Sequence, residues 1–287
     1  MYFCMIWQSY MKRFLAWFLR SVVRYRSDVV MVNLSRSFPN RSYEEIREIH
    51  KRFYRHLVSI FTEMLWVGTC RGARGREKFR RSHIMEFTNP QVYNQLAAGG
   101  RSVMLLEAHT GNWELMGGLP FSSFGEPLDI RPEQYAVTYL ALHNRRADRF
   151  IGRNRVGILE GIEGFHGYVE TAQVMRFVLK HRDQPFLYTF ITDQYPYTPH
   201  HIPVRFMHQD TVSMEGGAGL AVKLDMAVAY LRFECREGGG YDVSVVPICE
   251  HAAGMAPAEI MNKYYQLLEE DLEKQPWNYL WTHKRWK

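Results

Sequence analysis

The chain has 287 residues, 46% of them hydrophobic, which is enough to bury a substantial core in one large α/β domain or two small ones. Its formal charge of +6 and pI near 9.1 point to an anionic partner: a membrane surface, nucleic acid or an acidic protein, among which charge alone does not choose. Cys4, Cys70, Cys235 and Cys249 form no C-x-x-C pair, so neither a zinc site nor a disulfide framework is indicated, and a reducing, cytosol-facing location fits.

From Trp7 to Tyr25 the residues fall on two faces at helical spacing. Trp7, Met11, Phe14, Phe18, Val22 and Tyr25 share one side; Lys12, Arg13, Arg20 and Arg24 share the other. The apolar run Phe14 to Leu19 is far below the roughly 20 residues that cross a bilayer. Two readings remain open, a helix lying in a membrane interface with its cations toward lipid phosphates, and an amphipathic helix packed on the core. It does not read as a signal peptide, because the positive charges follow the first apolar residues and no small-residue cleavage site is present. Residues 1–30 are taken as this interface helix and residues 31–287 as one folded domain.

Ser42 followed by Glu45 is a capping box that opens a long scaffold helix through Ile49, Phe53, Leu57, Ile60 and Leu65. His50 and His56 on that helix read as surface residues. Cys70 to Arg81, CRGARGREKFRR, is the densest basic run, either a dock for an acidic carrier protein or headgroup phosphates or a solvated loop. Neither a zinc-finger spacing nor an RNA-binding signature accompanies it, so no nucleic-acid partner is expected.

The chain is organised around VMLLEAHTGNWELMGGL, residues 103–119. An apolar run ends in a polar cluster of His109, Gly111, Asn112, Trp113 and Glu114 and continues into a helix-like pattern, which reads as buried strand, turn and helix. That puts His109 at the carboxyl end of a strand, the edge of an open α/β sheet where ligand sites gather. A neutral imidazole there can take a proton on one ring nitrogen while the other donates to a carboxylate, and Glu114 is the expected carboxylate. Gly111 permits the tight turn.

Tyr135 to Leu142 reads as a second buried strand, followed by the arginine-rich LHNRRADRFIGRNRVG. A helix from Thr171 to His181 precedes a buried strand, Pro185 to Thr192, with Asp193 and Gln194 directly after it. If that strand is parallel to the first, Asp193 and His109 share one sheet edge; Asp is also common at strand ends simply as a turn former. His200, His201 and His208 lack a carboxylate or thiolate at ligand spacing, so no metal is expected. AVAYLRFEC and YDVSVVPIC flank Gly238, Gly239 and Gly240 as a hairpin, and Ala258 to Lys274 reads as a long helix before the aromatic, basic tail PWNYLWTHKRWK.

HTGNWE resembles the H-x-G-N-W-E form of the His-x4-acid motif in the bacterial late acyltransferases of lipid A biosynthesis, the lauroyl and myristoyl transferase family. NLSRSFPNRSYEEI, ITDQYP and PWNYLWTHKRWK match in the same order, so the resemblance covers nearly the whole chain. It implies a single-domain α/β fold with a mixed, largely parallel central sheet flanked by helices, as in glycerolipid acyltransferases. It implies an O-acyltransferase that needs no cofactor or metal. Its co-substrate would be acyl-ACP (acyl carrier protein) or acyl-CoA, and its acceptor a hydroxyl of a lipid A precursor at the cytoplasmic face of the inner membrane. His109 and Glu114 are the expected catalytic pair, with Gly111, Asn112, Trp113, Asp193 and Gln194 as candidate substrate contacts. The family commonly has an Arg a few residues before a Gly, a place that Arg153 before Gly157 fits first and Arg155 second, which makes Arg153 a further candidate substrate contact, binding phosphate or the developing oxyanion, unless it is an ordinary surface arginine. Relatives often carry an acid where Ala218 stands. A lysophospholipid or aminolipid acceptor, and a non-catalytic lipid-binding protein, are the competing readings.

Overall fold

A computed structural model of the chain describes residues 2–142, 144–196 and 201–286, with side chains from Tyr10 onward. At its centre is a seven-stranded sheet in the order β1-β9-β8-β2-β5-β3-β4. The strands are β1 (Met85–Phe87), β2 (Val103–Glu107), β3 (Tyr135–Tyr139), β4 (Tyr168–Glu170), β5 (Leu187–Ile191), β8 (Ala227–Cys235) and β9 (Tyr241–Cys249). Every neighbouring pair is parallel except the β8/β9 hairpin. A separate antiparallel pair, β6 (His201–Phe206) and β7 (Gln209–Met214), turns through Met207 and His208, both at positive φ. The sequence reading has no counterpart for β7.

The sheet is buried on both faces, which is why β2 is apolar at four successive positions rather than alternating. Met104 and Leu106 enter one core with α3 (Tyr43–Val67), α8 (Gly216–Lys223) and α9 (Pro257–Lys274). Val103 and Leu105 enter the other with Phe79 of α4 (Gly72–Ser82), Tyr93 of α5 (Pro90–Ala97), Leu115 and Leu119. Ala218 is fully buried in α8.

The capping box on α3 forms as expected: the Ser42 hydroxyl accepts from the Glu45 amide and Glu45 accepts from the Ser42 amide. Two expectations on neighbouring segments are corrected. His50 and His56 are buried, not on the surface, because α1 (Tyr2–Trp17) and α2 (Ser27–Ser37) cover one side of α3 and the sheet covers the other. The basic run is not a solvated loop but α4, whose cations hold it to the body. Arg76 donates to the carbonyls of Ile158 and Glu160, and Arg80 to those of Phe121 and Ser123.

A π-helical turn, Phe18–Val22, follows α1, and α2 runs across residue 30 with Val30 and Leu34 in the core. Ala16 is buried, while Phe14, Trp17 and Phe18 stay exposed. The side chain of Trp7 lies outside the described residues.

Candidate active site

Two parallel strands bring the site together. In the β2/β5 register Glu107 stands opposite Ile191, so His109 and Asp193, each two residues further on, leave the same sheet edge side by side. The His109 amide donates to Asp193 Oδ1 at 3.2 Å, and His109 Nδ1 lies 2.8 Å from the same oxygen. Asp193 is only 1% exposed. Burial opposes its charge, but His109, a hydrogen bond from Tyr279 and the nearby Arg285 outweigh that and hold its carboxyl below the ordinary value. An ionised carboxylate only accepts, so Nδ1 carries the proton and Nε2 presents its lone pair. Gln194 Nε2 donates to that lone pair at 3.2 Å, and the Trp113 ring packs edge-on against the imidazole at 4.8 Å between centroids.

Glu114 is therefore not the group that orients His109. Its carboxylate is taken by Arg155 in a two-pronged pair, Nε to Oε2 at 2.6 Å and Nη2 to Oε1 at 2.7 Å, with the Trp113 indole donating to Oε1 at 3.1 Å. The physical reason is local. Residues Trp113–Phe121 form a 3-10 helix rather than an α-helix, capped by Asn112, whose side chain accepts from the Glu114 amide. Glu114 thus faces the last turn of α6 (Arg145–Val156). Arg155, the second choice, occupies the place expected of Arg153, which is exposed on the same helix.

The rest of the motif is clamped from elsewhere in the chain. Gly111 has φ +58°, and a side chain there would run into the Phe233 ring. Its amide donates to Asn278 Oδ1 at 2.6 Å, and Asn278 in turn donates to the Phe233 carbonyl. Asn112 donates to Glu63 of α3 at 2.9 Å and to the Ile60 carbonyl. The Leu280 amide donates to the His109 carbonyl, and Trp281 and Arg285 are fully buried. The tail is thus part of the site wall, a role for which its aromatic, polar composition was the only sequence signal.

One buried acid escaped the sequence reading. Glu107, last in β2 and two residues before His109, is 2% exposed. Burial pushes its pKa up to about 8, with Thr189 and Arg155 pulling the other way, so at neutral pH it is chiefly the uncharged acid. The run VMLLE gave no sign of this, since a terminal Glu on a buried strand reads equally well as the start of the loop.

Among the described residues no three His, Cys, Asp or Glu side chains converge as metal ligands; His200 lies outside them. A largely parallel α/β sheet with a carboxylate-held imidazole at the carboxyl edge of its central strands has the parts for proton transfer to or from a substrate hydroxyl. The family model for bacterial lipid A biosynthesis acyltransferases matches residues 5–287, and the chain belongs to that family. Comparison with curated proteins gives no match.

Proposed function

We propose that this acyltransferase moves a fatty acyl chain from the thioester of acyl carrier protein, or of coenzyme A, to a hydroxyl of a lipid A precursor, with His109 as general base and Asp193 as the residue that positions it. The observation that carries this reading is the Asp193–His109 hydrogen bond, which leaves the Nε2 lone pair directed away from the buried carboxylate. The acceptor hydroxyl replaces Gln194 at Nε2 and gives up its proton as its oxygen attacks the thioester carbonyl. The C–O bond forms, the C–S bond of the tetrahedral intermediate breaks, and the imidazolium returns the proton to the departing thiolate. A general base of this kind contributes roughly 10²- to 10⁴-fold. The thioester is already activated, so positioning supplies much of the rest.

Glu114 and Arg155 have a positioning role in this reading, keeping the Trp113 indole beside the imidazole. The outward aromatics of α1 support a peripheral seat at the cytoplasmic face of the inner membrane, with lipid as acceptor and acyl carrier protein as partner. No described helix is long and apolar enough to cross a membrane. The test is transfer of labelled acyl chain from acyl carrier protein to a lipid A precursor, read by mass spectrometry of the product. Thioester consumption with no acylated lipid would overturn the acceptor assignment, and no consumption at all would overturn the enzyme mechanism.

A further inference from the structure

The N-terminal helix and α3 run antiparallel and leave a cavity of about 340 Å³ between them. It is lined by Arg13, Ala16, Trp17 and Arg20 from the first helix and its π-helical turn, and by Lys51 and Arg55 from α3. Four cations therefore share one cleft. Among the described residues no carboxylate lines it; Glu48, one turn before Lys51 on α3, accepts from Lys51 at 3.0 Å and also feels Arg55. Arg20 is half-buried, and among the described residues it donates to the neighbouring Ser21 hydroxyl. Like charges gathered in one cleft repel unless an anion stands among them. Elsewhere on the chain Arg71, Arg155 and Arg236 each have an acid at 3.0 Å or less.

The π-helical turn shapes the cleft. A helix that stayed α-helical through Phe18–Val22 would carry Arg20 at a different angle, and π turns recur at functional sites. Next to the cleft, Phe14, Trp17 and Phe18 are exposed, and Phe14 packs on both of the other rings. Aromatic side chains at the rim with cations behind them match the layering of a bilayer interface, acyl chains first and phosphates next. The volume is at the lower end for small-ligand sites and suits a headgroup phosphate with part of its glycerol.

We propose that this cleft is a discrete binding site for the phosphate of an anionic membrane lipid, separate from the acyl-transfer site, and that it fixes how the N-terminal helix sits on the bilayer. The proposal rests on the reading of that helix as an interface helix. Arg13, Arg20 and Arg55 donate to the phosphate oxygens, Lys51 contributes charge, and Trp17 packs beside the headgroup. Each Lys or Arg near an anionic surface is worth about 1 kcal/mol, so two such groups correspond to roughly 30-fold in binding.

The test is flotation of the full chain with phosphatidylcholine vesicles, with and without a quarter phosphatidylglycerol. It compares the parent, Arg13→Gln/Arg55→Gln, and Arg176→Gln/Lys180→Gln, which removes the same charge from the exposed face of α7 (Val174–Lys180). The site predicts a loss near 30-fold on the anionic vesicles for the cleft variant and only a few-fold loss for the control. Equal losses in the two variants would overturn it, since that is the behaviour of diffuse surface charge. Calorimetric binding of inorganic phosphate by the parent, together with equal flotation on the neutral and the anionic vesicles, would instead assign the cleft to a free phosphate and overturn the lipid assignment. Should Arg13→Gln/Arg55→Gln melt early, Arg20→Gln alone carries the comparison. Acyl transfer to a detergent-dispersed acceptor separates the two readings: it stays at the parent level in the cleft variant if transfer occurs at His109, whatever the vesicle result.

Discussion

Arg155 and Glu114 form the most tightly made ion pair of the site, with both guanidinium contacts at 2.7 Å or less and the Glu114 side chain only 8% exposed. Burial disfavours the Arg155 charge, yet the hydrogen bonds and charge of Glu114 reverse that and raise its affinity for the proton above the ordinary value. Removing one partner of such a pair leaves the other charged and alone. Arg155→Ala is expected to cost about 3–5 kcal/mol in denaturant unfolding, and Arg155→Lys less, since it keeps the charge and loses the fork. Arg153→Ala, on the exposed face, stays within about 0.5 kcal/mol. Equal costs at 153 and 155 would contradict the assignment.

The turn before that pair depends on Gly111. Alanine there meets both a left-handed backbone and the Phe233 ring, so Gly111→Ala is expected to lose about 2 kcal/mol or more and to depress acyl transfer further than its stability loss explains. A variant with parent-like melting and turnover would show that the turn tolerates a side chain and that the clamp is not needed.

Asn278 ties the tail to the same turn. Its loss strands the Gly111 amide and the Phe233 carbonyl in a buried place, each at about 1–3 kcal/mol. Asn278→Ala is therefore expected to lower the melting temperature by several degrees, and Asn278→Asp, which keeps the acceptor for Gly111 but not the donor for Phe233, by less. Hydrogen exchange at Gly111 reports the effect directly: faster exchange in Asn278→Ala is the expected result, and unchanged exchange would disprove the contact.

Stability is expected to peak near pH 6.5 and to fall away on either side for separate reasons. Burial lowers the His50 and His56 pKa values from 6.5 to about 4, so both stay neutral in the fold while the unfolded chain gains protons below pH 6.5. Their contribution is complete above 6.5 and lost as the pH falls toward 4. Glu107 has the opposite sign. Its pKa rises from 4.5 to about 8, so its contribution is complete below 4.5 and lost as the pH climbs toward 8. Glu107→Gln should flatten the decline on the alkaline side of that peak in denaturant titrations from pH 6.5 to 8. A decline of unchanged slope in that variant would mean that Glu107 is ionised in the fold.

Much of the scaffold was legible because it rests on local signals. The Ser42–Glu45 box, the apolar strands 103–107 and 187–191 and the glycine hairpin each announce themselves within ten residues or so. Placing His109 and Asp193 on one edge needed only the assumption that two buried strands are parallel. The partner of Glu114 was not legible, because a 3-10 rather than an α-helical turn redirects its side chain and its partner lies 41 positions away. His50 and His56 misled for a related reason: HKRFYRHL has the composition of an exposed helix, and only distant elements bury its histidines, α2 over His50 and the β8/β9 hairpin over His56.

The most direct test of the central claim is the rate of acyl transfer in Asp193→Asn, measured beside His109→Ala and Glu114→Gln with the folded fraction of each determined by circular dichroism. If Asp193 fixes the tautomer of the base, Asp193→Asn and His109→Ala both fall by roughly 10²- to 10⁴-fold while remaining folded. In that case Glu114→Gln, which loosens the hold on the Trp113 indole but leaves the Asp193–His109 hydrogen bond in place, loses far less activity than either. Parent-like turnover in Asp193→Asn, with a collapse confined to a well-folded Glu114→Gln, would show that the imidazole takes its orientation from Glu114 and that the pairing described here is not the catalytic one.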